Sequence, residues 1–291
     1  LSIAYLRSIA SANTDCEIEH ILSIGARMPF FETGTGRLYY EVDGPEQAPV
    51  LVLSNSLGTN LSMWLPQLPA WSEHFRVVRY DTRGHGRSDV TQGPYTIAQL
   101  GKDVLSLLDE LTIPRAHFCG LSMGGMTGIW LGVHAPARIN RLVLCNTSAA
   151  IGVPEIWNTR IAKVKQDGMQ SIVESVLERW FTADFLAHAP AQVERVRKML
   201  HETSAEGYIA NCAAVRDMDQ RADVALIAAP TLVIGGRHDK ATPPEHGELI
   251  SRAIKGSRYV ELNAAHLSNW EVAQAFTQTV LDFLLKQHTG D

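Results

Sequence analysis

At 291 residues the chain can bury a large core, either as one α/β domain with an insertion or as two small domains. Hydrophobic residues make up 45% and charged residues 20%, the balance of an ordinary soluble globular protein. A net charge of −5 leaves no concentrated basic face, which excludes nucleic acid as the main partner, and no apolar run is long enough to cross a bilayer.

Residues 1–27 carry Asp15, Glu17 and Glu19 and show no basic stretch followed by a sustained apolar one, so they do not read as a secretory signal. They are expected to be a poorly ordered N-terminal extension, with Met28 a sensible natural start. From there Leu38–Val42 and Val50–Leu53 read as strands around an Asp43-Gly44-Pro45 turn, and Phe75–Tyr80 as a third. After Thr96, a plausible N-cap, Ile97, Leu100, Val104, Leu107, Leu108 and Leu111 recur at helical spacing until Pro114. A strand at 116–119, a helix at 124–134 and a strand at 142–145 follow. Farther on, strands at 231–234 and 258–262 bracket a helix near 244–254, and a last amphipathic helix covers 269–286.

Strands alternating with helices predict a mostly parallel sheet covered on both faces. The rhythm breaks between 150 and 225, where only helical patterns occur, such as Ile156, Ile161 and Val164. The expected organisation is therefore an α/β core built from 28–149 and 226–288, with 150–225 as a helical lid over the carboxyl edge, where ligands of such sheets bind. Cys16, Cys119, Cys145 and Cys212 lie far apart with no CxxC spacing. They indicate neither a disulfide framework nor a metal site, and a reducing, cytoplasmic setting fits them.

The most informative stretch is Gly120-Leu121-Ser122-Met123-Gly124, between an apolar strand and a helix. A Ser flanked by glycines at a strand-to-helix turn is a nucleophile elbow: the turn leaves no room for neighbouring side chains and presents the hydroxyl above the sheet. Such a Ser needs a base and an acid that orients it, in the chain order Ser, acid, His. Of eleven histidines, His266 directly follows the last strand, while those before Ser122 are out of order. The acid expected after the preceding strand is Asp239, in Gly235-Gly236-Arg237-His238-Asp239; the rival strand-end position holds the neutral Asn146. Oxyanion donors are expected from the backbone N–H groups of Met123, at the helix start, and Leu57, in the loop after strand 50–53.

These segments resemble the α/β-hydrolases and, within them, the 3-oxoadipate enol-lactonases. The resemblance runs from Met28 to Leu285. It is carried by Leu53–Thr59, by Tyr80–Ser88, by Gly120–Met126, by Asn146–Ala149 and by Ala265–Asn269. The elbow and the Asp81–Ser88 turn are shared across the superfamily. The Asn55-Ser56-Leu57-Gly58 run, which departs from the superfamily's usual His-Gly, is what points to the lactonases. The resemblance implies a five-membered enol lactone with an anionic acetate arm as substrate, opened through a Ser122 acyl-enzyme, with no metal or organic cofactor. The arm calls for a cation in the lid, and Arg160 and Trp157, one turn apart, are the candidates for substrate binding. A carboxylesterase, a carbon–carbon hydrolase, a perhydrolase or a weakly active ligand receptor of the same fold stay open, and the sequence does not specify an oligomeric state.

Overall fold

The computed structural model describes residues 29–286. The expected N-terminal extension, 1–27, and Cys16 with it lie outside the described residues. Eight strands form one sheet: β1 (Phe30–Glu32), β2 (Arg37–Asp43), β3 (Val50–Ser54), β4 (Arg76–Tyr80), β5 (Ala116–Leu121), β6 (Ile139–Cys145), β7 (Thr231–Gly236) and β8 (Arg258–Leu262). Their order is β1-β2-β4-β3-β5-β6-β7-β8. The first two pairings are antiparallel and all the others parallel.

Successive residues of a strand point to opposite faces, and here they enter separate cores. Leu51, Leu53, Cys119, Leu121, Val143, Cys145, Leu232 and Ile234 join one cluster, with Trp64, Trp71 and Phe276. Val52, Phe118, Leu142, Leu144 and Val233 join the other. There they meet Val104, Leu107 and Leu108 of α2 (Ile97–Glu110), Ile129 and Leu131 of α3 (Met123–His134) and Ile250 of α9 (Pro244–Ala253). Each such side chain contributes roughly 1.5–3 kcal/mol on full burial. Strands buried on both faces explain why their sequences are continuously apolar rather than alternating.

The Thr96 hydroxyl caps α2 by accepting from the Gln99 N–H at 3.1 Å. A short helix α1 (Leu68–Trp71), preceded by a 3-10 turn at Leu61–Trp64, was not evident from periodicity because each is only four residues long. Between β6 and β7 the chain forms α4 (Pro154–Asp167), α5 (Val173–Trp180), α6 (Ala183–His188), α7 (Pro190–Glu202) and α8 (Ala205–Asp217). The expected final helix is two: α10 (Ser268–Glu271) and α11 (Ala273–Leu284), broken at Val272 by φ −126° and ψ 51°.

Candidate active site

The site begins with backbone geometry at the end of β5. Ser122 has φ 57° and ψ −116°, a strained conformation for a side-chain-bearing residue. The turn is over-determined by its surroundings. The Ser122 N–H donates to the Cys145 carbonyl at 2.9 Å, and its carbonyl accepts from the Thr147 hydroxyl at 2.6 Å. A Cβ on Gly120 would collide with the Gly124 carbonyl, and one on Gly124 with the Ser54 carbonyl. Glycine is required at both positions by close backbone approach. The Met123 N–H opens α3, where a helix terminus favours negative charge.

His266 follows β8 and Asp239 follows β7, so neighbouring parallel strands deliver the pair to the same sheet edge. His266 Nδ1 lies 2.8 Å from Asp239 Oδ2. The other acceptor sites of Asp239 are filled. Oδ1 accepts the Ala241 and Thr242 N–H groups at 2.7 and 2.9 Å, and Oδ2 accepts the Thr242 hydroxyl at 2.8 Å. Asn146 Nδ2 donates to the same Oδ2 at 3.0 Å and to the Ala265 carbonyl at 3.1 Å, while its Oδ1 accepts from the Ser268 hydroxyl at 2.6 Å. Burial of Asp239 pushes its pKa up, but the adjacent His266 charge and the converging hydrogen bonds win, and it lies below the usual carboxylate range. With Nδ1 committed to Asp239, Nε2 is the His266 nitrogen available to the cavity.

Ser122, His266, Leu57, Met126, Trp157, Arg160, Arg179, Trp180 and Tyr208 are among the residues lining one cavity. The Ser122 hydroxyl makes no hydrogen bond to protein among the described residues; catalytic hydrogen bonds of this kind often close only around substrate. The Trp180 ring lies 5.9 Å from the His266 ring, and the Arg160 guanidinium sits 4.9 Å over the Trp157 ring.

The loop carrying Leu57 is pinned along its length. Asn55 donates to the Tyr80 carbonyl at 2.7 Å and accepts from Trp64 Nε1 at 2.9 Å, so it is buried scaffold rather than cavity lining. The Gly58 N–H donates to His85 Nε2 at 2.8 Å, the Thr203 hydroxyl of the helical block to the Gly58 carbonyl at 3.0 Å. The Leu57 N–H between these anchors donates to no protein group among the described residues.

Sequence reasoning set His85 aside as a base by chain order and missed this role. Full burial lowers its pKa from 6.5 to about 4, which keeps the ring neutral and Nε2 an acceptor. The Gly-His-Gly setting of the Asp81–Ser88 turn was the available signal. It also missed Arg179, which sits three residues after buried Val176 on α5 and so shares its cavity-facing side. Trp130 packs on Gly101 and stacks on His134, and Arg83 is committed to a buried ion pair with Asp103, so neither lines the cavity. Among the described residues no group of three or more His, Cys, Asp and Glu side chains could hold a metal ion, and no helix is long and apolar enough to cross a membrane.

A profile of the alpha/beta hydrolase fold family matches residues 49–273. The 3-oxoadipate enol-lactonase 2 of Acinetobacter baylyi is 44% identical over 243 residues, covering 84% of this chain and 91% of that protein. The crystal structure of the enol-lactonase from Burkholderia xenovorans LB400 superposes with a TM-score of 0.87 at 50% identity, covering 89% of this chain and all of that one. A hydrolase from Pseudomonas aeruginosa PA01 gives the same TM-score at 51% identity, over 90% of this chain and all of that one. The chain belongs to the alpha/beta hydrolase fold family and, within it, to the 3-oxoadipate enol-lactonases.

Proposed function

We propose that this chain hydrolyses 3-oxoadipate enol-lactone to 3-oxoadipate, with Ser122 as nucleophile, His266 as general base and acid, and Asp239 as the orienting carboxylate. The observation that carries the residue roles is the 2.8 Å Asp239–His266 contact, with His266 lining one cavity together with a strained, helix-opening Ser122. The substrate follows from family membership.

Asp239 fixes the imidazole with Nδ1 protonated, so Nε2 takes the Ser122 proton as the hydroxyl oxygen attacks the lactone carbonyl. The tetrahedral oxyanion is received by the Leu57 and Met123 N–H groups, each such donor being worth ~2.7–4 kcal/mol in related sites. Collapse breaks the bond between the acyl carbon and the ring oxygen. That oxygen leaves as an enol, protonated from His266, and stays tethered through the acyl chain. Re-closure of the ring competes until the enol becomes the ketone. Water then gives a proton to Nε2, attacks the Ser122 ester, and releases the product as its second carboxylate forms. The acetate arm of the substrate lies against Trp157 and Arg160, and the helical block 150–225 serves as a lid that keeps bulk water from the acyl-enzyme.

The direct test is loss of enol-lactone ultraviolet absorbance with purified protein. Rapid decay that vanishes in Ser122→Ala supports the assignment. Good turnover of simple aryl esters with none of the enol lactone would replace it by an esterase.

A further inference from the structure

Two guanidinium groups enter the catalytic cavity from different helices, Arg160 from α4 and Arg179 from α5. Both are half-buried, and neither forms an ion pair with a carboxylate among the described residues. Arg160 lies over the face of Trp157 and beside the Tyr208 hydroxyl, and Arg179 makes one long hydrogen bond, 3.4 Å, to the Lys240 carbonyl. Asp239, the carboxylate behind His266, already accepts from His266 and its other donors. Burial lowers the Arg179 pKa and the charge of Arg160 lowers it further, while the charge of Asp239 offsets part of this. Half-buried like charges without a directly paired carboxylate are costly, and an anion between them lowers the cost. The placement of Arg179 is also specific. Its neighbour Trp180 lies against the His266 ring, and Lys240 directly follows Asp239, so Arg179 stands on the His266 side of the cavity.

On that side His266 protonates the departing ring oxygen, and the carbon bearing this oxygen is the one that carries the acetate arm. From this juxtaposition we propose that Arg179, together with Arg160, forms a two-guanidinium clamp on the substrate carboxylate and is the residue that selects carboxylated over uncharged enol lactones. The inference rests on the lactonase reading of the site and adds to it a second cation and a specificity.

The test compares two substrates that share the reacting ring: the carboxylated enol lactone, and the 5-methyl enol lactone (α-angelica lactone), which lacks the carboxylate. Each is assayed with wild type, Arg179→Gln, Arg179→Lys, Arg160→Gln and the double Gln variant. The expected result is that Arg179→Gln loses about 10- to 150-fold in kcat/KM on the carboxylated lactone, mainly in KM, the range of one charged hydrogen-bonding group. Its turnover of the methyl lactone changes less than about threefold by the same reasoning, since no charge is bound there. Arg179→Lys recovers part of the loss, because charge is kept without the planar fork. The double variant loses less than the product of the single losses, because both cations hold one carboxylate. Equal loss on both lactones in Arg179→Gln, or no loss on either, overturns the clamp while leaving the lactonase reading intact. Failure of wild type on both lactones overturns that reading instead.

Discussion

Asn146 offers a sharp test of the electrostatics that hold the proposed triad together. It donates to Asp239 Oδ2 at 3.0 Å, where an acid would otherwise stand at the end of β6. Asn146→Asp keeps the shape and places a second carboxyl against the first. With charge centres about 4 Å apart and an effective dielectric near 20, two ionised carboxylates repel by about 4 kcal/mol. That is about three pKa units, so in the folded protein the introduced carboxyl titrates near ~7 rather than its unfolded value of ~3.9. Below pH ~4 it is protonated in both states and its one O–H can donate to Asp239, so the variant lacks only the bond to the Ala265 carbonyl, about 1 kcal/mol. As pH rises, the unfolded chain releases a proton that the folded chain retains. The variant therefore falls behind by a further ~1.4 kcal/mol per pH unit until the folded carboxyl ionises, then levels off about 4 kcal/mol below its low-pH difference from wild type. Urea unfolding followed by tryptophan fluorescence at pH 5, 6, 7, 8 and 9, expressed as variant minus wild type, reads this directly. A difference that stays flat over that range would refute the reasoning, because the contact would then carry no charge coupling to Asp239.

The remaining predictions concern the scaffold of the proposed oxyanion loop and the elbow. Removing the Gly58 anchor in His85→Ala should lower kcat by about 10- to 100-fold with little change in KM, since an oxyanion donor acts on the transition state; steady-state kinetics on the enol lactone decide, and an unchanged kcat would separate His85 from the loop. Because the folded His85 pKa is depressed to about 4 from 6.5, its contribution to stability is present above pH 6.5 and is lost as pH falls towards 4. Its share is at most about 3 kcal/mol, and the acid slope of unfolding free energy should be shallower in His85→Gln than in wild type. Gly124→Ala drives a methyl into the Ser54 carbonyl, so it should cost about 1–3 kcal/mol in urea unfolding and displace the elbow enough to depress kcat; a fully stable, fully active variant would show that the approach is not tight.

Why the proposed triad shows as a pattern in the sequence, and the cavity wall only in part, follows from how each is built. A parallel sheet delivers the end of every strand to one edge, so the order Ser122, Asp239, His266 along β5, β7 and β8 translates directly into proximity. Glycines at 120 and 124 mark backbone approach that no side chain tolerates, a constraint local enough to show as a pattern. Asn146 was legible only as the absence of an acid. Its bonds to Asp239, Ala265 and Ser268 join three strand-end loops, and no spacing along the chain encodes that. The Gly-His-Gly setting marks His85, but not its partner: the Gly58 N–H lies 27 residues away on a loop whose path depends on Tyr80 and Trp64. The helical block is harder still. Its helices contact one another and the sheet edge through tertiary packing, and the rotation of each about its own axis decides which Arg faces inward. Arg160 was singled out beside Trp157, whereas Arg179 stands beside Trp180 in the same kind of Arg–Trp setting and was passed over. The amphipathic period of α5 carries the difference: Val173, Val176, Leu177 and Trp180 define a buried stripe, and Arg179 lies at its border, where a long side chain reaches the cavity while its helix position stays half-exposed. A border position has two outcomes in sequence, solvent or cavity. Only the packing of α5 against the His266 loop, through the Leu267 N–H on the Trp180 carbonyl, turns Arg179 to the catalytic side.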